Sequence, residues 1–561
     1  MNEELGGAVK TAAKNLFGED VEVELTRPDE QFGDYATNVA LQLGQKLGKP
    51  PRQVAEALAA KLKDQPGLAR AEVAGPGFIN FRLSDAVLAT ELGKIDQNYG
   101  QNQTWAGQTV VAEYSDPNPF KVLHVGHLYT SVVGDAIANL LGAAGAKVHR
   151  VNFGGDVGLH VAKTMWGIVK NLGDENPAKL EQVSETEHAD WLSERYVEGN
   201  AAYENDEAAK AQIIELNKRI YKLTETQDKD SPLAKIYWTT RQWSYDYFDE
   251  FYKRIGSHFD KYYPESEVTE LGLKTVKEQL AGGVFKESDG AVIFDGEVHN
   301  LHTRVFINSQ GLPTYETKDV GLIMAKWRDY KFDKSVIITA NEIYEYMQVV
   351  LKAVEHFAPE LAAATIHLTH GMVKLAGGQK MSSRRGNILR AVDVLEFTQK
   401  ANQKLNKQGD EAVSLGAVKY AFLKQRLGGD IIYNPAESVS LEGNSGPYLQ
   451  YAHARARSIL AKAQNSNKQQ ATSNKLESGE RSLALKISEY PEVVAKATNE
   501  LLPSHIATYL YELAQNFSRF YEANRVLGDP RQAIRLKLVK AYAEVLKNGL
   551  GLLNIAAPDK I

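Results

Sequence analysis

Hydrophobic and polar positions in the first hundred residues follow two different periods. Three stretches have helical spacing and two have strand-like spacing: 5–16, 36–47 and 54–62, then 71–74 and 78–83. Pro50 and Pro51 end the second helix and open the third, because proline fits the first helical turn but not the interior. Residues 1–105 are therefore predicted to form a small N-terminal α/β domain.

Strand-like and helix-like stretches alternate in the next part of the chain, from about residue 106 to 400. In chain order the stretches are 109–114, 126–141, 148–153, 335–340, 343–358 and 365–369. This alternation predicts an α/β fold class with a doubly wound, Rossmann-like parallel sheet, whose ligands bind at the carboxyl ends of its strands. A largely helical insertion is predicted at about 160–300.

The last part of the chain, residues 401–561, has almost only helical periodicity. Five stretches carry the pattern: 417–427, 449–463, 483–498, 506–526 and 536–549. Residues 464–479, which are rich in Asn, Gln, Ser and Lys, are predicted to form an exposed loop. We expect an all-α bundle here.

Composition narrows the possible classes of protein. The 561-residue chain has a formal charge of −6 and no cysteine, which excludes disulfides, thiolate metal sites and a cysteine nucleophile. The N-terminus lacks a signal or transit pattern, and no apolar run approaches the roughly 20 residues of a membrane span. We therefore expect a soluble, cytoplasmic protein. Residues 401–561 carry more bases than acids, which indicates either a polyanion-binding face or chance surface variation.

The first chemical motif is the segment 118–127, which has the sequence NPFKVLHVGH. It lies where a predicted strand ends and a helix begins, and free N–H groups at a helix N-terminus suit phosphate. His124 and His127 could both point at one anion, and Gly126 allows close approach to the backbone. The alternative is a pair of histidines that only cap the helix.

The second motif is the segment 380–387, which has the sequence KMSSRRGN and follows a glycine turn. Its three cations and two hydroxyl groups are what a closing loop needs to neutralise a triphosphate as pyrophosphate leaves. The alternative is a solvated basic loop without a ligand.

Both motifs together, with a large insertion between them, are typical of class I aminoacyl-tRNA synthetases. Nearly the whole chain resembles the arginyl-tRNA synthetase family of that class. Residues 32–38 and 77–81 resemble the family's additional N-terminal domain, and 441–451 and 552–558 resemble its helical anticodon-binding domain. The resemblance implies that 1–105 contacts tRNA, that 106–400 is the catalytic domain, and that 401–561 binds the anticodon.

The resemblance also implies the reaction and the partners. ATP, with Mg²⁺, activates L-arginine to arginyl-adenylate, and the arginyl group then passes to the 3′-terminal adenosine of the tRNA. No resident metal and no membrane are implied, and the family resemblance favours a monomer. Positioning and charge stabilisation dominate such chemistry, so the lack of an evident nucleophile is no objection.

Roles at the phosphate end follow from the same resemblance. His124 and His127 would hydrogen-bond the ATP phosphates, and Lys380 would contact the leaving phosphates. The remaining members of the implied ATP site are Gly126, Met381, Ser382 and Ser383. The family's fuller motif has a second lysine where Ser383 stands. Lys121 is the implied substitute, and Arg384 and Arg385 are competing candidates.

Arginine recognition needs carboxylates that meet a guanidinium in a fork. The resemblance implies that Asn118 holds the backbone end of the substrate, in a stretch that begins at Glu113 and is similar to the family's amino-acid-binding strand. The candidates for the remaining contacts are Tyr315, Asp319 and Glu265 for the side chain and Gln348 for the amino group. The alternative for Asp319 and Glu265 is an ordinary surface or helix-capping acid.

Three other classes of protein remain to be weighed. Small nucleotidylyltransferases share the histidine turn but lack the basic loop and a large helical C-terminal domain. A cysteinyl-type synthetase would bring zinc-ligand cysteines, and this chain has none. The presence of His124, His127 and Lys380 argues against a non-catalytic tRNA-binding paralogue.

Overall fold

The computed structural model describes residues 2–376, 389–405, 409–463 and 475–561. The segment that contains Lys380, Met381, Ser382 and Ser383 lies outside the described residues, as do Arg384 and Arg385. Within the described ranges, no helix combines the length and the apolar content that crossing a membrane requires.

The N-terminal unit is a three-stranded antiparallel sheet covered by helices. Its elements are α1 (Asn2–Phe17), β1 (Tyr35–Thr37), α2 (Val39–Leu47), α3 (Pro51–Leu62), β2 (Leu68–Ala74), β3 (Phe78–Leu83) and α4 (Asp85–Glu91). The strand β3 is central. The helix predicted at 36–47 begins only at Val39, because Ala36 and Thr37 pair with Asn80 and Ile79 in β3. Tertiary pairing thus overrides the local helical pattern.

The middle of the chain forms the predicted parallel sheet. In chain order the elements are β4 (Thr109–Glu113), α5 (Val125–Ala143), β5 (Lys147–Gly154), α6 (Leu159–Leu172), α7 (His188–Asn205), α8 (Glu207–Glu225), α9 (Pro232–Ile255), β6 (Lys261–Pro264), α10 (Glu265–Ala281), β7 (Lys286–Ser288), β8 (Ala291–Phe294), β9 (Arg304–Ile307), α11 (Tyr315–Tyr330), β10 (Lys334–Ala340), α12 (Tyr344–Glu355), α13 (Pro359–Ala364), β11 (Thr365–His370) and β12 (Val373–Leu375). Five strands lie in the order β11-β10-β4-β5-β6, and all their pairings are parallel.

The range 160–300, predicted as a largely helical insertion, is more mixed than expected. Helices α6 to α9 are inserted between β5 and β6, but β6 belongs to the parallel sheet, where Tyr263 pairs with Phe153. A separate antiparallel sheet, β7-β8-β9, begins before residue 300. The sequence pattern missed β6 because four residues are too few to show a period.

Among the described residues of the C-terminal part, the elements are helices and one short strand. Its elements are α14 (Ala391–Leu405), α15 (Glu411–Leu423), β13 (Ile431–Tyr433), α16 (Pro435–Ser438), α17 (Gly446–Ala463), α18 (Ser478–Ser488), α19 (Tyr490–Glu500), α20 (Ser504–Ala523) and α21 (Gln532–Leu552). The stretch predicted as one helix, 483–498, is divided between α18 and α19. Pro491 lies in the first turn of α19, where its missing N–H costs nothing, but it could not stand in the interior of a continuous helix. The predicted fold class, an α/β domain with an N-terminal α/β unit and a C-terminal helical domain, is confirmed.

Two glycines allow α10 and α11 to pack backbone against backbone. A Cβ added at Gly272 would lie 2.1 Å from the carbonyl oxygen of Thr317, and one added at Gly321 would lie 2.2 Å from that of Val268. Any larger side chain would therefore separate the helices. Through this contact the first turn of each helix lies against the backbone of the other helix.

Candidate active site

A cavity of about 510 Å³ opens at the carboxyl ends of the parallel strands. Most of the predicted site residues that the structure describes line it: Glu113, Asn118, His124, Gly126, His127, Glu265, Tyr315 and Asp319. The order of the strands places one wall on the connection from β4 to α5 and the opposite wall on α11 and α12. This is the location that the Rossmann-like pattern predicts for a ligand.

The two predicted histidines form one compact unit at the start of α5. His124 is the residue before the helix, and its Nδ1 accepts a hydrogen bond from the Gly126 N–H at 3.1 Å. The Nδ1 of His127 accepts one from the His124 N–H at 3.1 Å, and the two rings stack with centroids 3.7 Å apart. A neutral imidazole that accepts at Nδ1 carries its proton on Nε2. Each ring therefore keeps one N–H to donate to a ligand.

The electrostatic setting of these rings favours their neutral form in the empty cavity. Burial lowers the pKa of both His124 and His127, and the charge of Lys121 lowers each further. The pKa shift is larger for His127, because the charge of His124 lowers its pKa as well. An anion bound beside them would oppose both effects.

Lys121 is close to the histidines but does not line the cavity. Its Nζ lies 4.3 Å from the centre of the Tyr196 ring, in a cation–π contact with the inserted helix α7. Burial and the nearby charge of Lys163 lower the pKa of Lys121 to about 8. The lysine is thus held beside the site with no acid paired to it among the described residues.

The chain returns to the histidine turn directly after the segment 377–388. The Val125 N–H donates to the Leu389 carbonyl at 2.9 Å, and the Ala391 N–H donates to the Leu123 carbonyl at 2.9 Å. His124 and Arg390 form an antiparallel bridge between them. The residues that follow the predicted basic loop are therefore in contact with the predicted phosphate turn.

Glu265 is a buried residue of the opposite, acidic end of the cavity and not a surface acid. It is the first residue of α10, only 2% exposed, and its Oε2 accepts a hydrogen bond from the Lys318 Nζ at 2.5 Å. Burial raises the pKa of Glu265, and Lys318 opposes that shift. Although burial lowers the pKa of Lys318, Glu265 holds it above its usual value. The two side chains form a buried ion pair, in which each stabilises the charged form of the other.

Tyr315 and Asp319 lie four residues apart in the first turns of α11, as predicted. The Tyr346 hydroxyl of α12 donates a hydrogen bond to Asp319 Oδ2. Burial raises the pKa of Asp319 to about 8, although Tyr346 opposes this. Asp319 has no lysine or arginine partner among the described residues, unlike Glu265.

Glu113 has a buried partner that the sequence did not reveal. The Nζ of Lys326, from α11, donates to Glu113 Oε2 and also to the Ser335 hydroxyl, the latter at 3.0 Å. Both charged side chains are almost fully inaccessible to solvent. Glu113 therefore lines the cavity with its charge already balanced by Lys326.

Asn118 is fixed by the end of β5. Its Oδ1 accepts a hydrogen bond from the Gly155 N–H at 2.8 Å. A Cβ at Gly155 would lie 2.5 Å from Asn118 Oδ1 and 3.1 Å from Glu265 Oε1, so only glycine fits between the two side chains. This hydrogen bond therefore fixes the orientation of the Asn118 amide group, including its nitrogen.

Gln348 is the predicted arginine-binding residue that the structure does not bring to the cavity. Ile343, Tyr346 and Met347 of the same region line it, and Gln348 does not. One further residue along a helix rotates a side chain by about 100°, which turns Gln348 away from that wall. Its predicted role at the amino group is therefore not supported by its position.

Several lining residues were not singled out from the sequence. They include Ser115, Asp116, Gly155, Arg304, Tyr346 and His370. Asp116 lies within the stretch that resembled the family's amino-acid-binding strand, so a search for further acids there would have found it. Tyr346 carries no local signal. In the described ranges, no group of three or more His, Asp or Glu is arranged to hold a metal ion.

Family models match almost the entire chain. The model described as tRNA synthetases class I (R), catalytic domain, matches residues 90–434. The Arginyl tRNA synthetase N terminal domain matches residues 2–83, and the DALR anticodon binding domain matches 449–561.

Individual relatives agree with these models over their full lengths. The chain is 30% identical to an arginine–tRNA ligase from Bacteroides thetaiotaomicron, with 100% of both chains covered. It is 31% identical to one from Lactobacillus delbrueckii subsp. bulgaricus, with 97% of this chain and 96% of the relative covered. The solved arginyl-tRNA synthetase of Thermus thermophilus superposes with a TM-score of 0.81 at 25% identity, and each chain is covered completely. The chain therefore belongs to the arginyl-tRNA synthetase family of class I aminoacyl-tRNA synthetases, a class that uses ATP.

Proposed function

We propose that this chain joins L-arginine to its tRNA in two steps within the cavity described above. First, a carboxylate oxygen of arginine attacks the α-phosphorus of ATP, the bond from that phosphorus to the bridging oxygen breaks, and pyrophosphate leaves. Then a ribose hydroxyl of the tRNA's terminal adenosine attacks the acyl carbon, and AMP leaves. The observation that carries the proposal is one cavity with imidazole donors at one end and buried carboxylates at the other.

The imidazole end would bind the polyphosphate. The Nε2–H groups of His124 and His127 would donate to phosphate oxygens as charge moves toward pyrophosphate, and Gly126 would let the phosphates approach the helix N-terminus. We assign Lys121 and Lys380 as the cations that stabilise the leaving group, with Met381, Ser382 and Ser383 in the closing loop. Mg²⁺ would enter this end with the triphosphate.

The acidic end would bind the arginine side chain. Asp319 has a carboxylate without a cationic partner among the described residues, so it would meet the guanidinium directly. Glu265 has one oxygen bound to Lys318 and would offer the other. Tyr315 would cover the side chain, and Asn118 would hold the backbone end. Two carboxylates in different directions suit a planar fork of donors and not the single charge of lysine.

The remaining domains would hold the tRNA. We propose that residues 401–561 bind the anticodon stem and loop and that residues 1–105 contact the tRNA elsewhere, mainly through phosphates and unpaired bases. The description of the model that matches 449–561 supports the first assignment. We further propose that the enzyme acts as a monomer in the cytoplasm.

Pyrophosphate exchange tests this function directly. Each of the twenty amino acids is offered with ATP and labelled pyrophosphate, with and without tRNA. We expect exchange with arginine alone, and only when tRNA is present, because enzymes of this family typically need tRNA for activation. Exchange with another amino acid would contradict the specificity, and tRNA binding without any exchange would indicate the non-catalytic paralogue.

A further inference from the structure

Besides the exposed Glu342, four carboxylates with unequal electrostatic partners line the cavity: Glu113, Asp116, Glu265 and Asp319. Glu265 is paired with Lys318, and Glu113 is paired with Lys326, both through buried contacts. Within the described ranges, neither Asp116 nor Asp319 has a lysine or arginine partner. Two of the four carboxyl groups therefore lack a cationic partner among the described residues. Burial raises the pKa of both Asp116 and Asp319 in the empty cavity, and a bound cation would stabilise their charged form.

The proposed substrate, on which this inference rests, also carries two cations. Arginine has a guanidinium at one end and an α-ammonium at the other, beside the carboxylate that reacts. Asp319 is assigned to the guanidinium. The α-ammonium has no assigned carboxylate, and Gln348, its sequence-predicted partner, does not line the cavity.

Asp116 has the geometry of a residue held for a ligand. Its φ is 49° and that of Ser115 is 75°, so two consecutive non-glycine residues adopt the left-handed conformation directly after β4. Such strain persists only where the surroundings enforce it, and it is common at ligand clamps. The Phe153 N–H donates to Asp116 Oδ1 at 2.8 Å, which fixes the carboxylate. No donor within the described ranges is bonded to its other oxygen.

The position of Asp116 along the chain identifies the end of the substrate that it faces. Asp116 belongs to the same connection from β4 to α5 as Asn118 and His124, and His127 follows in the first turn of α5. The carboxylate of arginine must reach the α-phosphate, which lies against the histidine turn in the proposed function. Because the α-ammonium is only one carbon away from that carboxylate, it must lie on the same side of the cavity. Asp319 enters from α11 on the other wall.

We propose that Asp116 binds the α-ammonium group of arginine and so selects for an intact α-amino acid. Asp116 and Asp319 then form a pair of substrate-binding carboxylates, one for each cationic group. Lys318 and Lys326 remove the excess negative charge of Glu265 and Glu113, so the cavity does not attract cations without regard to their shape.

Equilibrium titration of the full chain with two ligands tests this assignment. L-Arginine carries both cations, whereas 5-guanidinovaleric acid lacks only the α-amino group. Asp116→Asn should weaken arginine binding about tenfold to hundredfold, because one charge-assisted hydrogen bond is lost. It should change binding of 5-guanidinovaleric acid by less than about threefold. Asn keeps the oxygen that accepts from Phe153 and tolerates the left-handed conformation, so the turn should be preserved.

The matched variant is Asp319→Asn, which should weaken both ligands to a similar degree. An Asp116→Asn chain that binds arginine as tightly as the unaltered one would overturn the assignment, and so would equal weakening of both ligands. If the unaltered chain binds 5-guanidinovaleric acid as tightly as arginine, no group recognises the ammonium, and the assignment is wrong. Failure of the unaltered chain to bind arginine at all would instead overturn the proposed function.

Discussion

At the acidic end of the cavity the protein supplies cations for two of its own carboxylates. At the histidine end, by contrast, no acid in the described part of the chain is paired with His124, His127 or Lys121. Lys318 and Lys326 neutralise Glu265 and Glu113 inside the fold. At the histidine end burial lowers the pKa values of His124, His127 and Lys121 in the empty cavity, and the charge of Lys121 lowers those of the two histidines further. The first end thus has a cation beside two of its own carboxylates before a ligand arrives. The second end is completed by the ligand, which here would be a polyphosphate.

Removal of a buried lysine should have the largest effect, because it takes away the cation that one carboxylate of the acidic end depends on. Lys326→Met leaves Glu113 buried without its partner, which should lower the free energy of unfolding by about 3–5 kcal/mol. The first denaturant transition measures this. The double variant Lys326→Met/Glu113→Leu should recover most of the loss.

Lys274→Met serves as the matched control for that change. Lys274 lies on α10 with its side chain 71% exposed and 4.0 Å from Glu278. Its removal should cost less than about 1 kcal/mol. Equal losses for Lys274→Met and Lys326→Met would show that the buried pair contributes nothing special.

Removal of one imidazole would test the histidine end. His127→Ala should slow adenylate formation about 10²–10³-fold, because a preorganised donor to the developing charge is lost. Affinity for tRNA should stay near normal. Single-turnover adenylate formation and filter binding measure the two quantities, and an unchanged rate would remove His127 from the reaction.

The two ends should also respond to pH in opposite directions. Asp319 has a pKa of about 8, so it is largely protonated at pH 7 and gains its charge as the pH rises. The Michaelis constant for arginine should therefore fall by about tenfold between pH 7 and pH 9. In Asp319→Asn this constant should be higher than in the unaltered chain and should not show the tenfold fall over that range. A pH dependence that survives the substitution would contradict the assignment.

The opposite response at the histidine end should be the smallest of these effects. Lys121, with a pKa of about 8, loses its charge above that pH. The Michaelis constant for ATP should rise about threefold to tenfold between pH 7.5 and pH 9. Lys121→Met should remove this rise. If the rise persists in Lys121→Met, another group, such as one in the 377–388 segment, provides the titrating cation.

The sequence predicted those features that depend on local pattern. The strand at 109–113, the helix that starts after His124 and the histidine pair itself all follow from neighbouring residues. The lysine partners could not be predicted. Lys318 and Lys326 stand in a helix as ordinary polar residues, and only the packing of α11 against α10 and the sheet buries them. Gln348 shows the converse, because family likeness named it and helix rotation turned it away.

The backbone contact between α10 and α11 fixes the distance between the side chains of the acidic end. Gly272 and Gly321 bring the helices together without intervening side chains, so the first turns that carry Glu265, Lys318 and Asp319 cannot slide apart. The distance between the guanidinium-binding groups is thus determined by contact between two main chains, which side-chain rotation cannot change. A cationic amino acid with a shorter or longer side chain would have to change its own conformation to reach these groups, because the two helices are held at a fixed distance.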